Sequence, residues 1–198
     1  LLTGSTATGK SSVLAAFVNM INQTQSKHII TIEDPIEFVY PKGKSIIEQR
    51  QVGSDTLSFA EALRSSFRQD PDVILVGELR DMESIATALN AAETGHLVFA
   101  TLHSSNTVES LTKIINSFPP LQQPTIAEQL ASFLIAIISR DLVSRKGGGP
   151  RIASWEVMVN TNAVASLIRD KKFANIYSLM QTGGQFGMMT MEQSRDKL

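Results

Sequence analysis

The sequence predicts an α/β fold in which helices flank a parallel sheet. Short apolar runs rich in β-branched residues predict buried strands at residues 28–32, 73–76 and 96–102. Segments with the 3.6-residue rhythm of amphipathic helices lie between these runs, and such alternation is typical of parallel sheets. A third observation is the opening segment, which has the spacing of a loop that binds phosphate between a strand and a helix.

The opening segment fits the pattern G-x-x-x-x-G-K-[ST] at residues 4–11. Its two glycines let backbone N–H groups fold around a phosphate, and the next helix directs its positive N-terminal end at the same group. Lys10 adds a cation for the β and γ phosphates of a nucleotide, and the Ser11 hydroxyl is a ligand for Mg²⁺. The residues predicted to bind nucleotide are Gly4, Ser5, Thr6, Ala7, Thr8, Gly9, Lys10, Ser11 and Ser12.

The flanks of the loop argue against a chance match. Leu1 and Leu2 have the apolar character of a strand end, and apolar residues at helical spacing predict a first helix at residues 10–25. A phosphate loop needs a complete strand before it, and the chain offers only its end. We therefore expect that the N-terminal strand is truncated and that the sequence begins inside a larger protein.

Acidic residues follow the first predicted strand. Glu33 and Asp34 come directly after residues 28–32, and in parallel α/β sheets ligands bind beyond the carboxyl ends of the strands. The alternative is that Asp34 and Pro35 only mark a turn.

The second predicted strand, at residues 73–76, ends at Gly77 and Glu78. A carboxylate in this place is able to hold Mg²⁺ or to polarise the attacking water, and Gly77 lets the backbone approach closely. The alternative is an exposed strand end without a function.

The third predicted strand, at residues 96–102, is followed by His103. A single histidine is most often structural. At a strand end in a nucleotide-binding fold it is also placed to sense the γ-phosphate, and both interpretations stay open.

The other elements complete the chain with a smaller C-terminal part. We expect an exposed strand at 45–52, helices at 58–67, 82–93, 107–118 and 125–138, a strand pair at 142–143 and 152–159, and helices at 162–173 and 174–181. Arg64 and Arg68 lie four residues apart on one helix, either on a solvated face or on a surface that contacts an anion or a partner. The predicted domains are residues 1–145, the α/β core, and residues 146–198, a strand pair with a helical subdomain.

The composition excludes several kinds of chemistry. The chain has no cysteine, which excludes disulfides, thiolate metal sites and a cysteine nucleophile. A net charge of −1 provides no overall basic field, so we expect no nucleic-acid partner. The longest apolar run, residues 133–138, is too short to cross a bilayer and predicts a buried segment.

Taken together, the motifs resemble the secretion ATPase superfamily, which contains the motors of type II and type IV secretion and of type IV pili. The segments that carry the resemblance are an aspartate box at 33–37, a Walker B segment at 70–81, a histidine box at 95–106, and residues 156–161, 167–169 and 180–183, which are similar to the pilus retraction branch. Ala165 and Ser166 stand where this branch usually has Arg-Asn, so the related accessory retraction ATPase remains an alternative.

The resemblance implies a RecA-like P-loop NTPase core with a small helical C-terminal appendage from about Lys146. It implies an ATPase that binds ATP and Mg²⁺ and forms a ring-shaped homohexamer at the inner face of the cytoplasmic membrane. Such a motor acts on an inner-membrane platform protein and retracts type IV pili, which produces twitching motility. A paralogous motor ATPase is an additional candidate partner.

The resemblance also implies roles for single residues. Glu33, Glu78 and His103 are the catalytic candidates, and Ser11 and Glu78 are the candidate metal ligands. The general base is not assigned between Glu33 and Glu78, although we favour Glu78 for the metal and the water with Glu33 as helper. His103 would read the γ-phosphate and pass its loss to a neighbouring element.

Two other classes of protein remain as alternatives. A RecA-like DNA translocase or helicase shares the fold, and stimulation of hydrolysis by DNA would distinguish it. A non-catalytic accessory subunit of a mixed motor ring is the other alternative, and several intact site residues argue against it: Lys10, Ser11, Glu33 and Glu78.

Overall fold

The computed structural model describes residues 1–145 and 148–198, which form two units. The middle unit is Gly9–Thr101, and the terminal unit combines Leu1–Thr8 with Leu102–Leu198. Both units contain strands and helices, which confirms the predicted α/β class. The predicted second domain begins at Lys146, outside the described residues, and this division of the chain stays a prediction.

In chain order the described elements are β1 (Leu2–Thr3), α1 (Lys10–Thr24), β2 (His28–Glu33), β3 (Ile46–Gln51), α2 (Phe59–Ser66), β4 (Val73–Val76), α3 (Met82–Glu93), β5 (Leu97–Leu102), α4 (Thr107–Asn116), α5 (Gln123–Phe133), β6 (Ala136–Val143), β7 (Ile152–Val159), α6 (Asn162–Arg169), α7 (Ile176–Thr182) and α8 (Met191–Arg195). The three predicted buried strands correspond to β2, β4 and β5. Within the described residues, no helix is long and apolar enough to span a membrane.

The middle unit is built on four parallel strands in the order β3-β2-β4-β5. β2 and β4 lie between other strands, and their isoleucine and valine side chains are buried, as expected for strands covered on both faces. α1 contacts β5 through stacked rings of Phe17 and Phe99, whose centroids are 5.8 Å apart. Because Ile32 of β2 lies beside Val76 of β4, the carboxyl ends of these two strands emerge side by side.

The terminal unit contains β1, β6 and β7. β1 runs parallel to β6, and β6 runs antiparallel to β7. The chain also returns to β7 near its end, because the backbone of Val157 exchanges hydrogen bonds of 2.8 and 3.0 Å with that of Met189. Met188 beside this bridge is buried, so its side chain packs within this unit.

The predicted helix at residues 125–138 is wrong beyond Phe133. α5 ends at Phe133, Leu134 has extended backbone, and β6 begins at Ala136. The Asn160 Nδ2 donates to the carbonyls of Ala131 and Leu134, at 2.9 and 2.8 Å, and so uses acceptors that a continuing helix would bond. The predicted short strand at 142–143 is therefore only the end of a longer strand.

The loop between β2 and β3 is anchored on α1 by Asn22, which is fully buried. Its Nδ2 donates to the Pro41 carbonyl at 2.8 Å, and its backbone carbonyl accepts from the Lys44 N–H at 2.7 Å. Gly43 passes so close that a Cβ there would collide with the Asn22 side chain. This anchor fixes the base of a loop that also carries Glu37.

We expect Asn22→Ala to destabilise the protein by about 1–3 kcal/mol, because the Pro41 carbonyl loses its donor at a buried position. Urea unfolding measures the change. Gln23 is the exposed neighbour on the same helix, and Gln23→Ala should change stability by no more than about 0.5 kcal/mol. Equal effects of the two substitutions would contradict this account of the loop.

Candidate functional site

The phosphate loop runs from the end of β1 to the start of α1. Gly4 and Gly9 both have positive φ, at 145° and 84°. Gly4 also lies against β6, where a Cβ would collide with the Arg140 carbonyl oxygen, so a side chain does not fit there. The two glycines therefore allow the backbone to turn tightly, as the motif predicts.

Ala7 has an unusual backbone for a residue with a side chain. Its φ is 61°, in the left-handed region that glycine favours. The Thr8 hydroxyl supports the turn by donating to the Ser5 carbonyl at 2.8 Å. Ser5, Thr6 and Ala7 are exposed, so the tip of the loop is open to a ligand.

The first turn of α1 presents positive charge. Gly9 caps the helix without a side-chain hydrogen bond, and the first turn contains no acidic residue. Lys10 is buried, and this burial lowers the pKa of its ammonium group, while the charge of Glu78 acts in the opposite direction. The structure thus brings Lys10 and Glu78 close enough to interact electrostatically, although they lie far apart in the sequence.

Glu78 is held by the strands on either side of β4. The Gly77 N–H donates to the Ile32 carbonyl at 2.7 Å, an approach that a Cβ on Gly77 would crowd at 3.1 Å. On the other side, the Leu79 N–H donates to the Thr101 carbonyl at 2.9 Å. Glu78 therefore stands at a fixed place beyond the sheet, and Gly77 allows the close approach that the sequence analysis predicts.

Arg80 joins acids from two strand ends. Its Nε donates to Glu78 Oε2 at 2.5 Å, and its Nη1 donates to Asp34 Oδ2 at 3.1 Å. The hydrogen bond to Glu78 is the main cause that raises the pKa of Arg80. The aspartate-box segment and the Walker B segment thus meet at one cation, as their positions after neighbouring parallel strands predict.

Glu33 is buried and engaged with its neighbours in the sheet. Its Oε1 accepts hydrogen bonds from the Thr31 hydroxyl at 2.6 Å and from Gln49 Nε2 at 3.2 Å. Burial, and then the charge of Glu33, raise the pKa of Tyr40. The bond from Gln49 links β2 to β3, so Glu33 has a supporting role in the sheet that the predicted role as catalytic helper does not require.

Glu37 is an acid that the sequence analysis did not single out. Its Oε1 accepts a hydrogen bond of 2.7 Å from the Ser11 hydroxyl, the predicted Mg²⁺ ligand. The available signal is that Glu37 belongs to the same acidic segment as Glu33, four residues further on. The structure places Glu37, and not Glu33, at the hydroxyl of the phosphate loop.

The donors around Ser11 fit a magnesium ion in chemical type. Hydroxyl and carboxylate oxygens are the ligands that Mg²⁺ prefers, and in nucleotide sites it commonly uses one or two protein oxygens together with phosphates. Among the described residues there is no cluster of three or more histidines, aspartates or glutamates that could hold a metal alone.

His103 belongs to the terminal unit and follows β5 directly. Its carbonyl accepts a hydrogen bond of 2.7 Å from Lys113 Nζ.

Of the predicted arginine pair, Arg64 on α2 forms an exposed ion pair with Glu83 at 2.7 Å. This pair favours the solvated face over a ligand site.

A phosphate loop between a strand and a helix, with carboxylates brought to its lysine and serine, defines a nucleotide-binding protein of the P-loop class. The chain belongs to the type II/IV secretion system protein family, whose model matches residues 1–147. The predicted family is thereby confirmed.

Relatives of the chain include proteins of type IV pili. The chain is 48% identical over 192 residues to the type IV pilus retraction ATPase PilT of Pseudomonas aeruginosa, covering 97% of this chain and 56% of that protein. It is 50% identical over 198 residues to the twitching motility protein of Neisseria gonorrhoeae, covering all of this chain and 53% of that protein. The chain thus spans about half the length of these relatives.

A solved structure shows the same fold. The crystal structure of the pilus retraction motor PilT with bound ADP matches with a TM-score of 0.92 and 48% identity, over 99% of this chain and 55% of that chain. The match covers residues of both units, so each unit has the fold of the corresponding part of that motor.

We expect Lys10→Ala to abolish ATP hydrolysis and to weaken nucleotide binding by about 2–3 kcal/mol or more, because a charge-assisted phosphate contact is lost. Titration calorimetry with ATP and ADP measures the binding. Lys42→Ala, at an exposed lysine of the same unit, is the control and should bind like the wild type. A normal rate of hydrolysis in Lys10→Ala would refute the assignment of the phosphate loop.

Proposed function

We propose that this chain is the ATP-hydrolysing part of a ring-shaped motor that retracts type IV pili. The observation that most directly supports ATP hydrolysis lies at the first turn of α1, where the charge of Glu78 acts on Lys10 and Glu37 accepts a hydrogen bond from Ser11. The similarity to proteins named as retraction ATPase, retraction motor and twitching motility protein supports the type of work that the ATPase performs.

In this proposal the phosphate loop binds ATP and orients its β and γ phosphates. Lys10 contacts these phosphates, and Ser11 and Glu78 would hold Mg²⁺. The ion would supply positive charge that offsets the charge developing on the phosphates. Glu78 and Glu37 would orient the attacking water and accept its proton, while Glu33 supports the end of β2 through its bonds to Thr31 and Gln49.

The wider assembly is proposed from the same similarity. The protein would form a homohexamer at the inner face of the cytoplasmic membrane and act on an inner-membrane platform protein, without nucleic acid. His103 would sense the γ-phosphate and couple its loss to movement.

A second candidate function is an accessory subunit in a mixed ring with a paralogous motor ATPase. The observation in its favour lies on α6, where Ala165 is buried and Ser166 is exposed. The retraction branch usually has Arg-Asn at these positions, so this helix lacks one of the charges expected of a retraction motor.

We expect Glu78→Gln to bind ATP but to turn over at least about 100-fold more slowly, because the charge that organises metal and water is lost. Glu37→Gln should lower turnover more than Glu33→Gln does. Steady-state ATPase assays of the full-length variants measure this, with the exposed Glu61→Gln as control. A dead Glu33→Gln beside a normal Glu37→Gln would reverse the roles of these two acids, and three near-normal variants would refute the mechanism.

We expect hydrolysis to depend on assembly, because the γ-phosphate needs additional positive charge from another domain or subunit, worth about 10³-fold or more. This chain alone should be a poor ATPase. For the full-length protein, turnover per subunit should rise with protein concentration in a dilution series. Full activity of this chain as a dilute monomer would instead indicate a self-contained nucleotide hydrolase.

A further inference from the structure

The loop that carries His103 is fastened to α4. The Lys113 Nζ donates to the His103 carbonyl at 2.7 Å, and the hydroxyls of Ser104 and Ser110 bond to each other at 2.6 Å. Both partners on the helix side lie in α4. The position of His103 therefore depends on the position of this helix.

The N-terminus of α4 is in turn held by Glu156 of β7. Its Oε1 accepts a hydrogen bond of 2.7 Å from the Thr107 N–H, at the first residue of the helix. Glu156 is 4% exposed and Thr107 is 1% exposed, so this charge-assisted bond is almost completely shielded from water. A buried carboxylate is costly unless it is compensated, and the positive N-terminal end of a helix is such a compensation.

Glu156 is also in line with the start of the phosphate loop. Its register partner on β6 is Ser139, and the register partner of Ser139 on β1 is Thr3. The hydroxyls of Thr3 and Ser139 bond at 2.7 Å, and both residues are fully buried. Thr3 directly precedes Gly4. Thr3, Ser139 and Glu156, called here the polar row, are register partners on neighbouring strands. This row leads from the phosphate loop to the helix that holds His103.

We propose that Glu156 is a positioning residue for ATP hydrolysis. By anchoring the N-terminus of α4 to the polar row, it fixes His103 relative to the start of the phosphate loop. This inference rests on the proposed function, since it adds a residue to the same site. In this proposal Glu156 acts through His103 and not by contact with the nucleotide.

The test uses the full-length protein with Glu156→Ala, Glu156→Gln and the matched control Ser154→Ala. Ser154 is fully buried two residues away on the same strand, and its hydroxyl has no hydrogen-bond partner in the described part of the chain. We expect Glu156→Ala to lower kcat at least about tenfold while the KM for ATP and the Kd for ADP change by less than about twofold. Glu156→Gln keeps an acceptor for the Thr107 N–H and should recover most of the activity. The control should hydrolyse ATP like the wild type.

A double-mutant cycle with His103→Ala separates positioning from a general loss of stability. If Glu156 acts through His103, Glu156→Ala should have little further effect on kcat in the His103→Ala background. Additive losses, an unchanged kcat in Glu156→Ala, or an unchanged kcat in His103→Ala would overturn the inference. The inference would also be overturned if, in both Glu156 variants, the fall in kcat equals the loss of folded protein measured by thermal unfolding. An inactive wild-type protein would instead refute the proposed function itself.

Discussion

The electrostatic interaction between Lys10 and Glu78 is the constraint on which the candidate site depends. An ammonium group that is taken out of water needs a negative charge close by, and burial alone lowers the pKa of Lys10. Glu78 can meet this need only if β4 ends near the first turn of α1. The order of strands in the middle unit, with β4 between β2 and β5, and the close passage of Gly77 along Ile32 place it there. In the proposed function, a bound phosphate would compete with Glu78 for the lysine and so leave that carboxylate to metal and water.

Glu78 also bonds Arg80, so one carboxylate serves two cations. Arg80 is half exposed, whereas Lys10 is buried, and solvent weakens the first interaction more than the second. Arg80 is therefore the cation that Glu78 can release more easily. Its second bond, to Asp34, keeps the arginine near the strand ends when it does so. Such a site keeps Glu78 and Asp34 at the strand ends, while Arg80 remains able to release one of its two bonds.

The sequence was most informative where function depends on local spacing. The phosphate loop, the buried strands and the acids at their ends follow from short-range patterns, and β2, β4 and β5 lie where those patterns predict. Contacts that depend on distant parts of the chain were not predictable in this way. The end of α5 is set by Asn160 from beyond β7, and the bond between Ser11 and Glu37 depends on how a whole loop folds back over α1. Glu156 shows the same limit, since its strand is readable from the sequence but its hydrogen bond to α4 is not.

The return of the chain to β7 has a consequence for solubility. An exposed strand edge offers unpaired N–H groups to the strands of other molecules, and proteins commonly cover such edges. Here the Val157 N–H donates to Met189 and the Trp155 N–H donates to the Ser194 hydroxyl at 2.9 Å, so both donors are occupied by the last residues of the chain. The C-terminal segment that contains Met189 and Ser194, called here the tail, thus covers this edge of β7. A protein that lost it would expose an open edge and would tend to assemble edge to edge instead of remaining dispersed.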